Sequence, residues 1–171
     1  MENKKIILVT GGQRSGKSYF SESLATDSGK PLAYVATAQI LDEEFRERVK
    51  IHQDRRGPEW TTFEAPFELG GINLSGHTVV IDCVTMWLTN VFFKKNENVS
   101  ETLDYLKKDF INFTSKPATY IFVTNEIGLG GIGATPTMRK FADAQGWINQ
   151  FIASHADEVY FMVSGIPMKL K

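Results

Sequence analysis

The feature that most constrains this chain is a phosphate-binding loop near its amino terminus. Residues 11–18 read GGQRSGKS, which is the P-loop pattern G-x-x-x-x-G-K-S. The apolar, β-prone run 6–10 precedes the loop, and residues 19–25, which contain no glycine or proline, follow it. A strand before the loop and a helix after it distinguish a nucleotide-binding P-loop from a chance match. The sequence therefore predicts an α/β fold of the P-loop NTPase class.

The residue types in the loop each have a physical reason. Gly11 and Gly16 can adopt positive φ, which lets the backbone curl and point its N–H groups at an anion. Lys17 is predicted to reach the β- and γ-phosphates, and the Ser18 hydroxyl is predicted to ligate Mg²⁺. The predicted nucleotide-binding residues here are Gly11, Gly12, Gln13, Arg14, Ser15, Gly16, Lys17 and Ser18, with Lys17 also catalytic. The alternative is a glycine-rich turn that carries a surface lysine.

Length and charge limit the remaining possibilities. The 171 residues suit one domain, 1–171, with a full α/β core. A net charge of -1 provides no overall electrostatic attraction for nucleic acid or anionic membranes, so we expect neither as a partner. The single cysteine, Cys83, excludes an internal disulfide and fits a reducing cytoplasm. No apolar run reaches membrane-spanning length, and nothing at the amino terminus resembles a signal peptide.

Strand and helix patterns alternate along the rest of the chain. Further strands are predicted at 32–36, 60–64, 78–82, 119–124 and 158–163, and helices at 42–52, 86–93, from 100 onward and at 137–154. This alternation predicts a mostly parallel sheet with helices on both faces, in the RecA-like class of P-loop folds. Residues 65–74 are predicted to form a short helix and a loop, Gly146 to be a site of close packing, and 164–171 to be a short tail.

Three strand ends carry candidate ligand groups. Asp82 ends an apolar strand, where a P-loop protein places the acid that holds Mg²⁺ through water. The alternative is a helix-capping or turn aspartate. Thr37 and Ala38 follow the strand 32–36 at its carboxyl end, where ligands bind in open α/β sheets. Glu64 is either a carboxylate that binds a ribose hydroxyl or a solvated acid, and the residues alone leave both open.

One of the three histidines is a candidate nucleophile. His77 lies in a turn and His155 at a helix end, whereas His52 follows an amphipathic helical pattern and precedes Gln-Asp-Arg-Arg. Arg55 and Arg56 can hold phosphates, and a neutral imidazole nitrogen attacks phosphoryl centres well. A half-buried or capping histidine is the alternative.

The P-loop alone is compatible with an enzyme or with a nucleotide-dependent switch. A GTPase switch carries Asn-Lys-x-Asp after a late strand, whereas residues 124–128 read TNEIG, without the lysine and the aspartate. This difference favours an enzyme that transfers a phosphoryl or nucleotidyl group.

An ordered set of motifs then points to one family. The segments are LVTGGQRSGKS (8–18), YVATA (34–38), RVKIHQDRR (48–56) with Trp60 and Glu64, DCVT (82–85) with Thr89 and Asn90, VTNEIG (123–128) and VSGIPMK (163–169). Together they resemble the bifunctional adenosylcobinamide kinase / adenosylcobinamide-phosphate guanylyltransferase (CobU/CobP) family of cobalamin biosynthesis. Some relatives have two adjacent histidines, but here the first place is Ile51, so the family's nucleophile falls on His52.

The resemblance implies two reactions on adenosylcobinamide. ATP or GTP phosphorylates its hydroxyl, and GTP then transfers GMP to adenosylcobinamide phosphate through a guanylyl-histidine at His52. Further nucleotide-binding residues are then expected at Ala36, Thr37, Ala38, Gln53, Asp54, Arg55, Arg56, Glu64 and Asp82, with Ser18 and Asp82 holding Mg²⁺. The resemblance also implies a homotrimer. A small-molecule kinase without nucleotidyl transfer is the second interpretation.

Overall fold

The part of the chain that the computed structural model describes contains seven strands, five α-helices and one short 3-10 helix, Gly128–Gly130. The structure describes residues 4–39, 43–54 and 56–171, and within 43–54 the side chains of residues 44, 45, 48 and 52 lie outside the description. The strands are β1 (Lys5–Gly11), β2 (Leu32–Ala36), β3 (Trp60–Glu64), β4 (Thr78–Asp82), β5 (Thr119–Val123), β6 (Glu158–Val163) and β7 (Ile166–Lys169). The helices are α1 (Lys17–Thr26), α2 (Glu43–Asp54), α3 (Val84–Lys94), α4 (Val99–Phe113) and α5 (Pro136–His155).

The strands form one sheet in the order β3-β2-β4-β5-β1-β6-β7. All neighbouring pairs are parallel except β6 and β7, which are antiparallel. The predicted mostly parallel α/β fold is therefore confirmed. Strand β5 separates the P-loop strand β1 from β4, the strand that ends in Asp82, as the RecA-like class requires. The carboxyl ends of these three strands lie side by side, so the P-loop and Asp82 reach the same edge of the sheet.

Side chains of the central strands alternate between two apolar layers, because successive residues of a strand point to opposite faces. Ile6 and Leu8 face the layer built with α3, α4 and α5, whereas Ile7 and Val9 face the layer that includes α1. Helices therefore cover both faces, as the alternation of elements predicts. Among the described residues, no helix is both long enough and apolar enough to span a membrane.

Three local predictions are wrong. Residues 65–74, all of them described, form turns and irregular backbone rather than a short helix. A Cβ added at Gly146 would meet no atom within 4 Å, so this glycine is not a close-packing site. The supposed tail contains β7, which pairs with β6 through the two-residue turn Ser164–Gly165, where φ is 51° and 83°. Positive φ at both positions is the geometry of a type I′ hairpin turn. Strand β7 is hard to recognise from the sequence because it contains Pro167, and proline in a strand is tolerated only at an edge.

Candidate active site

The P-loop has the curled backbone that its glycines predict. Gly11 and Gly16 have φ of 153° and 93°, and a Cβ at Gly11 would lie 2.6 Å from the carbonyl oxygen of Met162. Helix α1 starts at Lys17, and its N-cap Gly16 provides no side-chain hydrogen bond. The first N–H groups of α1 therefore remain available to an anion at the positive end of the helix dipole.

Lys17 is held inside this loop. Its Nζ donates a hydrogen bond to the carbonyl oxygen of Gly12 at 2.6 Å, and the residue is only 8% exposed. Burial lowers the pKa of the Lys17 ammonium, while the nearby Cys83 and Asp82 act in the opposite direction. A bound phosphate would supply the negative charge that this partly desolvated ammonium lacks, so the position suits an anion-binding lysine.

Asp82, at the end of β4, is in direct contact with the start of α1. The Ser18 hydroxyl donates to Asp82 Oδ2 at 2.8 Å, and the Tyr34 hydroxyl donates to the same oxygen at 2.9 Å. Asp82 does not cap a helix, because Cys83 is the N-cap of α3 and accepts no side-chain capping bond. A serine hydroxyl and a carboxylate are hard oxygen ligands of the kind that Mg²⁺ prefers. Within the described residues no cluster of three or more His, Cys, Asp or Glu could hold a metal.

A cleft of about 510 Å³ opens above the P-loop. Its lining residues are Gln13, Arg14, Ser15, Gly16, Lys17, Ser18, Tyr19, Ile51, Asp82, Cys83, Val123 and Asn125. The volume lies within the range of sites for small ligands and cofactors. Ile51 belongs to α2, so this helix borders the same cleft as the P-loop. His52 lies next in α2, and its side chain lies outside the described part of the structure.

The predicted residues at the end of β2 are not among the described residues that line the cleft. Thr37 is fully buried, and its Oγ1 donates to the carbonyl oxygen of Cys83 at 2.7 Å and accepts from the Cys83 N–H at 2.8 Å. Its side chain therefore joins β2 to the junction of β4 and α3. Ala36 pairs in register with Glu64, whose side chain is exposed. The described cleft-lining residues include neither of these two nor Thr37 or Ala38.

The structure describes only part of the Gln-Asp-Arg-Arg segment, residues 53–56. Gln53 and Asp54 are exposed at the end of α2, and Arg55 lies outside the described residues. The Arg56 guanidinium stacks on the Tyr34 ring, 3.5 Å from its centroid, and lies 3.9 Å from Glu22 of α1. With a side chain only 5% exposed, Arg56 packs beneath the site instead of extending into the cleft.

Two groups of this region, Tyr34 and Asn125, are not among the site residues that the sequence predicts. Burial raises the pKa of the Tyr34 hydroxyl well above its ordinary value, with Asp82 adding to the shift, so it remains a proton donor to Asp82. Asn125 lines the cleft, and its carbonyl oxygen accepts a hydrogen bond from Asn149 Nδ2 at 3.1 Å. The available signals were a hydroxyl in an otherwise apolar strand and an amide just after β5, at the carboxyl edge of the sheet.

Cys83 also lines the cleft but is not a nucleophile. Burial, followed by the Asp82 charge, raises the pKa of its thiol to about 12. A thiol that remains protonated at neutral pH is a poor nucleophile, because the thiolate is the reactive form. Lys17, Ser18 and Asp82, together with Arg14 on the cleft wall, are described residues of the cleft whose groups suit phosphate chemistry.

Comparison with known proteins shows that the chain is similar in sequence to one protein family and similar in fold to a solved structure. The family model described as cobinamide kinase / cobinamide phosphate guanyltransferase matches residues 7–170. The bifunctional adenosylcobalamin biosynthesis protein CobP of Pseudomonas aeruginosa is 37% identical over 169 residues, which are 96% of this chain and 96% of the relative. The corresponding protein CobU of Salmonella typhimurium is 37% identical over 181 residues, covering 97% of this chain and 99% of the relative. The flagellar accessory protein FlaH from Methanocaldococcus jannaschii, 13% identical, superposes with a TM-score of 0.52 over 100% of this chain and 80% of its own, a likeness of fold alone.

Proposed function

Because the chain belongs to the cobinamide kinase / cobinamide phosphate guanyltransferase family, we propose that it catalyses both reactions. In the first, the γ-phosphate of ATP or GTP is transferred to the hydroxyl of adenosylcobinamide. In the second, GMP from GTP is joined to adenosylcobinamide phosphate, and pyrophosphate leaves. The match over residues 7–170 supports this proposal, as does the near-complete coverage of relatives that are named bifunctional.

The observation that carries the proposal is the contact between Ser18 and Asp82 beside Lys17. Ser18 Oγ and Asp82 Oδ2 are 2.8 Å apart, and both residues line the cleft with Lys17. The Ser18 hydroxyl and the Asp82 carboxylate would hold Mg²⁺, which when bound would neutralise charge on the phosphates. The Lys17 ammonium and the N–H groups at the start of α1 bind phosphate oxygens and orient the phosphoryl group. Positioning and charge stabilisation of this kind supply most of the rate enhancement in phosphoryl transfer.

We propose His52 as the nucleophile of the guanylyl transfer. An imidazole nitrogen attacks the α-phosphorus of GTP, a P–N bond forms, and the bond between the α-phosphorus and the bridging oxygen breaks to release pyrophosphate. A phosphate oxygen of adenosylcobinamide phosphate then attacks the same phosphorus, which breaks the P–N bond and frees the histidine. The family pattern supports the assignment, and so does Ile51, the preceding residue of α2, because it lines the P-loop cleft.

Labelling with GTP that carries radioactive phosphorus at the α-position tests this proposal. The wild-type protein should acquire a label that is stable to base and lost in acid, as a P–N bond requires. His52→Ala should acquire none and should lose pyrophosphate release, while phosphorylation of adenosylcobinamide continues, since that step needs no enzyme nucleophile. His155→Ala is the matched control, because His155 is exposed at the end of α5 and bonds to Phe151. A label that persists in His52→Ala would disprove the assignment.

The second candidate is a kinase without nucleotidyl transfer, which the P-loop geometry alone would support. Incubation with adenosylcobinamide phosphate and GTP separates the two functions. Pyrophosphate is released by the bifunctional enzyme and not by the kinase.

We also propose that the protein is a cytoplasmic homotrimer, as the family resemblance implies. The exposed apolar residues of the β7 edge, Ile166 and Met168, are 66% and 51% accessible in a single chain and support a contact between copies. Light scattering on the purified protein should then give about three times the chain mass of 19.2 kDa.

A further inference from the structure

Asp82 receives two hydrogen bonds on the same carboxylate oxygen. Ser18 Oγ lies 2.8 Å and Tyr34 Oη 2.9 Å from Oδ2. Within the described part of the chain, the other oxygen, Oδ1, accepts no hydrogen bond from the protein. The two donors therefore fix the rotation of the carboxylate and leave one oxygen for a ligand.

The two donors differ in how firmly they are held. Ser18 is a predicted ligand of Mg²⁺, so when nucleotide binds its hydroxyl would both coordinate the ion and donate to Asp82. Tyr34 is 5% exposed in the middle of β2, the second strand from one edge of the sheet, and it is not among the described residues that line the cleft. Its hydroxyl can therefore hold Asp82 in the same orientation whether or not nucleotide is present.

The Tyr34 ring is itself fixed by its neighbours. The Arg56 guanidinium lies 3.5 Å from the ring centroid, and Trp60 meets the ring edge-to-face at 6.3 Å between centroids. Glu22, on α1 of the P-loop, lies 3.9 Å from the same guanidinium. A buried aromatic ring held between a cation and a second ring has little freedom to rotate its hydroxyl away from Asp82.

We propose that Tyr34 is a positioning residue for Asp82, and that it presents Asp82 Oδ1 to the hydrated cation of the bound nucleotide. The inference rests on the proposed function, because it takes Asp82 as the carboxylate that holds Mg²⁺. Groups that hydrogen-bond to a metal-binding carboxylate orient it, and their removal lowers metal affinity about 10- to 100-fold.

The test measures binding rather than turnover. The affinity for a fluorescent GTP analogue is titrated against Mg²⁺ for the wild type, Tyr34→Phe and Asp82→Asn. Tyr34→Phe retains the ring, and with it the contacts to Arg56 and Trp60, but removes the hydroxyl. We expect it to raise the Mg²⁺ concentration for half-maximal affinity about tenfold, with affinity recovered at saturating Mg²⁺.

Tyr105→Phe is the matched control. It also removes one tyrosine hydroxyl, here a donor to the carbonyl oxygen of Phe67 at 3.2 Å, and neither residue is among the described residues that line the cleft. Its Mg²⁺ midpoint should equal that of the wild type. The number of nucleotides bound per chain is measured in parallel, because a folding defect lowers this number without moving the midpoint.

The outcomes distinguish a failure of the Tyr34 inference from a failure of the proposed metal role of Asp82. A raised midpoint in both Asp82→Asn and Tyr34→Phe supports the inference. A raised midpoint in Asp82→Asn with a wild-type midpoint in Tyr34→Phe overturns it and leaves the proposed function intact. A wild-type midpoint in Asp82→Asn overturns the metal role of Asp82 and the inference with it.

Discussion

The backbone N–H of Gly165 donates a hydrogen bond to the carbonyl oxygen of Ser15 at 3.0 Å. This bond ties the hairpin turn between β6 and β7 to the P-loop. Because a trans peptide unit is planar, a Ser15 carbonyl that points at Gly165 directs the N–H of Gly16 the opposite way. In a P-loop the backbone N–H groups are directed at the phosphates, so we expect the Gly165 bond to help orient the Gly16 N–H toward them.

Gly165→Ala should therefore weaken nucleotide binding. Gly165 has φ of 83°, and a Cβ there would meet no atom within 4 Å, so the cost is backbone strain of about 1–2 kcal/mol rather than a clash. Relief of that strain moves the turn and releases the Ser15 carbonyl. We expect the affinity for GTP, measured by titration calorimetry, to fall about tenfold, in line with the loss of about 1.4 kcal/mol.

Gly29→Ala is the control for the strain itself. Gly29 also has positive φ, 66°, and also has open space around an added Cβ, but it lies in the turn between α1 and β2. It should lower the free energy of unfolding by a similar amount and leave the affinity for GTP unchanged. Equal effects of the two variants on GTP binding would argue against a role of the hairpin in the P-loop.

Lys17→Ala should abolish both the kinase and the guanylyl-transfer reactions. The ammonium group is buried in the loop and is positioned to bind the phosphates, so its loss should lower kcat at least 100-fold. Steady-state assays of phosphate transfer and of pyrophosphate release measure the two reactions separately. Lys108→Ala, which removes an exposed lysine of α4, should leave both rates unchanged. Wild-type turnover in Lys17→Ala would show that the P-loop interpretation is wrong.

Arg56→Lys should reduce stability more than phosphate binding. Lysine retains the charge but lacks the planar guanidinium that stacks on Tyr34 at 3.5 Å, and a desolvated cation–π contact contributes about 2 kcal/mol. Urea unfolding should therefore show a loss of about 1–2 kcal/mol. Arg139→Lys, at an exposed position of α5, should show almost none. Weaker GTP binding without a loss of stability would instead indicate that Arg56 turns into the cleft and contacts phosphate.

Glu158 should make stability depend on acid pH. Hydrogen bonds from Lys5 and then Tyr160 lower the pKa of its carboxyl to about 2 from 4.5. A carboxylate with a depressed pKa stabilises the fold above its unfolded pKa and loses this effect as the pH falls from about 4.5 toward 2. Discounted for its partial exposure, the contribution near neutral pH is about 1 kcal/mol.

Urea unfolding of Glu158→Gln and the wild type from pH 6 to pH 3 measures this contribution. The difference in the free energy of unfolding should be constant above about pH 5 and should shrink below 4.5. Asp104→Asn, which removes an exposed carboxylate of α4, provides the baseline for the loss of one negative charge. A difference that does not change with pH would mean that the ion pair with Lys5 does not contribute in solution.

The spacing of apolar residues along the sequence was sufficient to predict most of the helices and strands. Leu103, Leu106, Phe110 and Phe113 recur at helical spacing, and all four are buried on α4. Six strands were correctly predicted; those in the middle of the sheet are apolar runs, because a strand buried on both faces must be apolar along its whole length, whereas the edge strand β3 is mostly exposed. Strand β7 was missed because Pro167 disfavours a strand, and because its four residues, all exposed, do not form the apolar run of a buried strand.

The sequence by itself determined the P-loop and the edge of the sheet at which Asp82 lies. The loop is a contiguous motif whose glycines have a local conformational requirement, and parallel strands bring their carboxyl ends to one edge whatever their order. The tertiary structure alone decided what surrounds these groups. Tyr34 meets Asp82, and Arg56 meets Tyr34, across separations of 48 and 22 residues, contacts that depend on strand order and on side-chain rotamers. The hydrogen bond between Gly165 and Ser15 of the P-loop also depends on the tertiary structure, because it forms only when β6 lies beside β1. Periodicity and propensity act within a few residues along the chain, whereas these contacts arise from packing across the sheet.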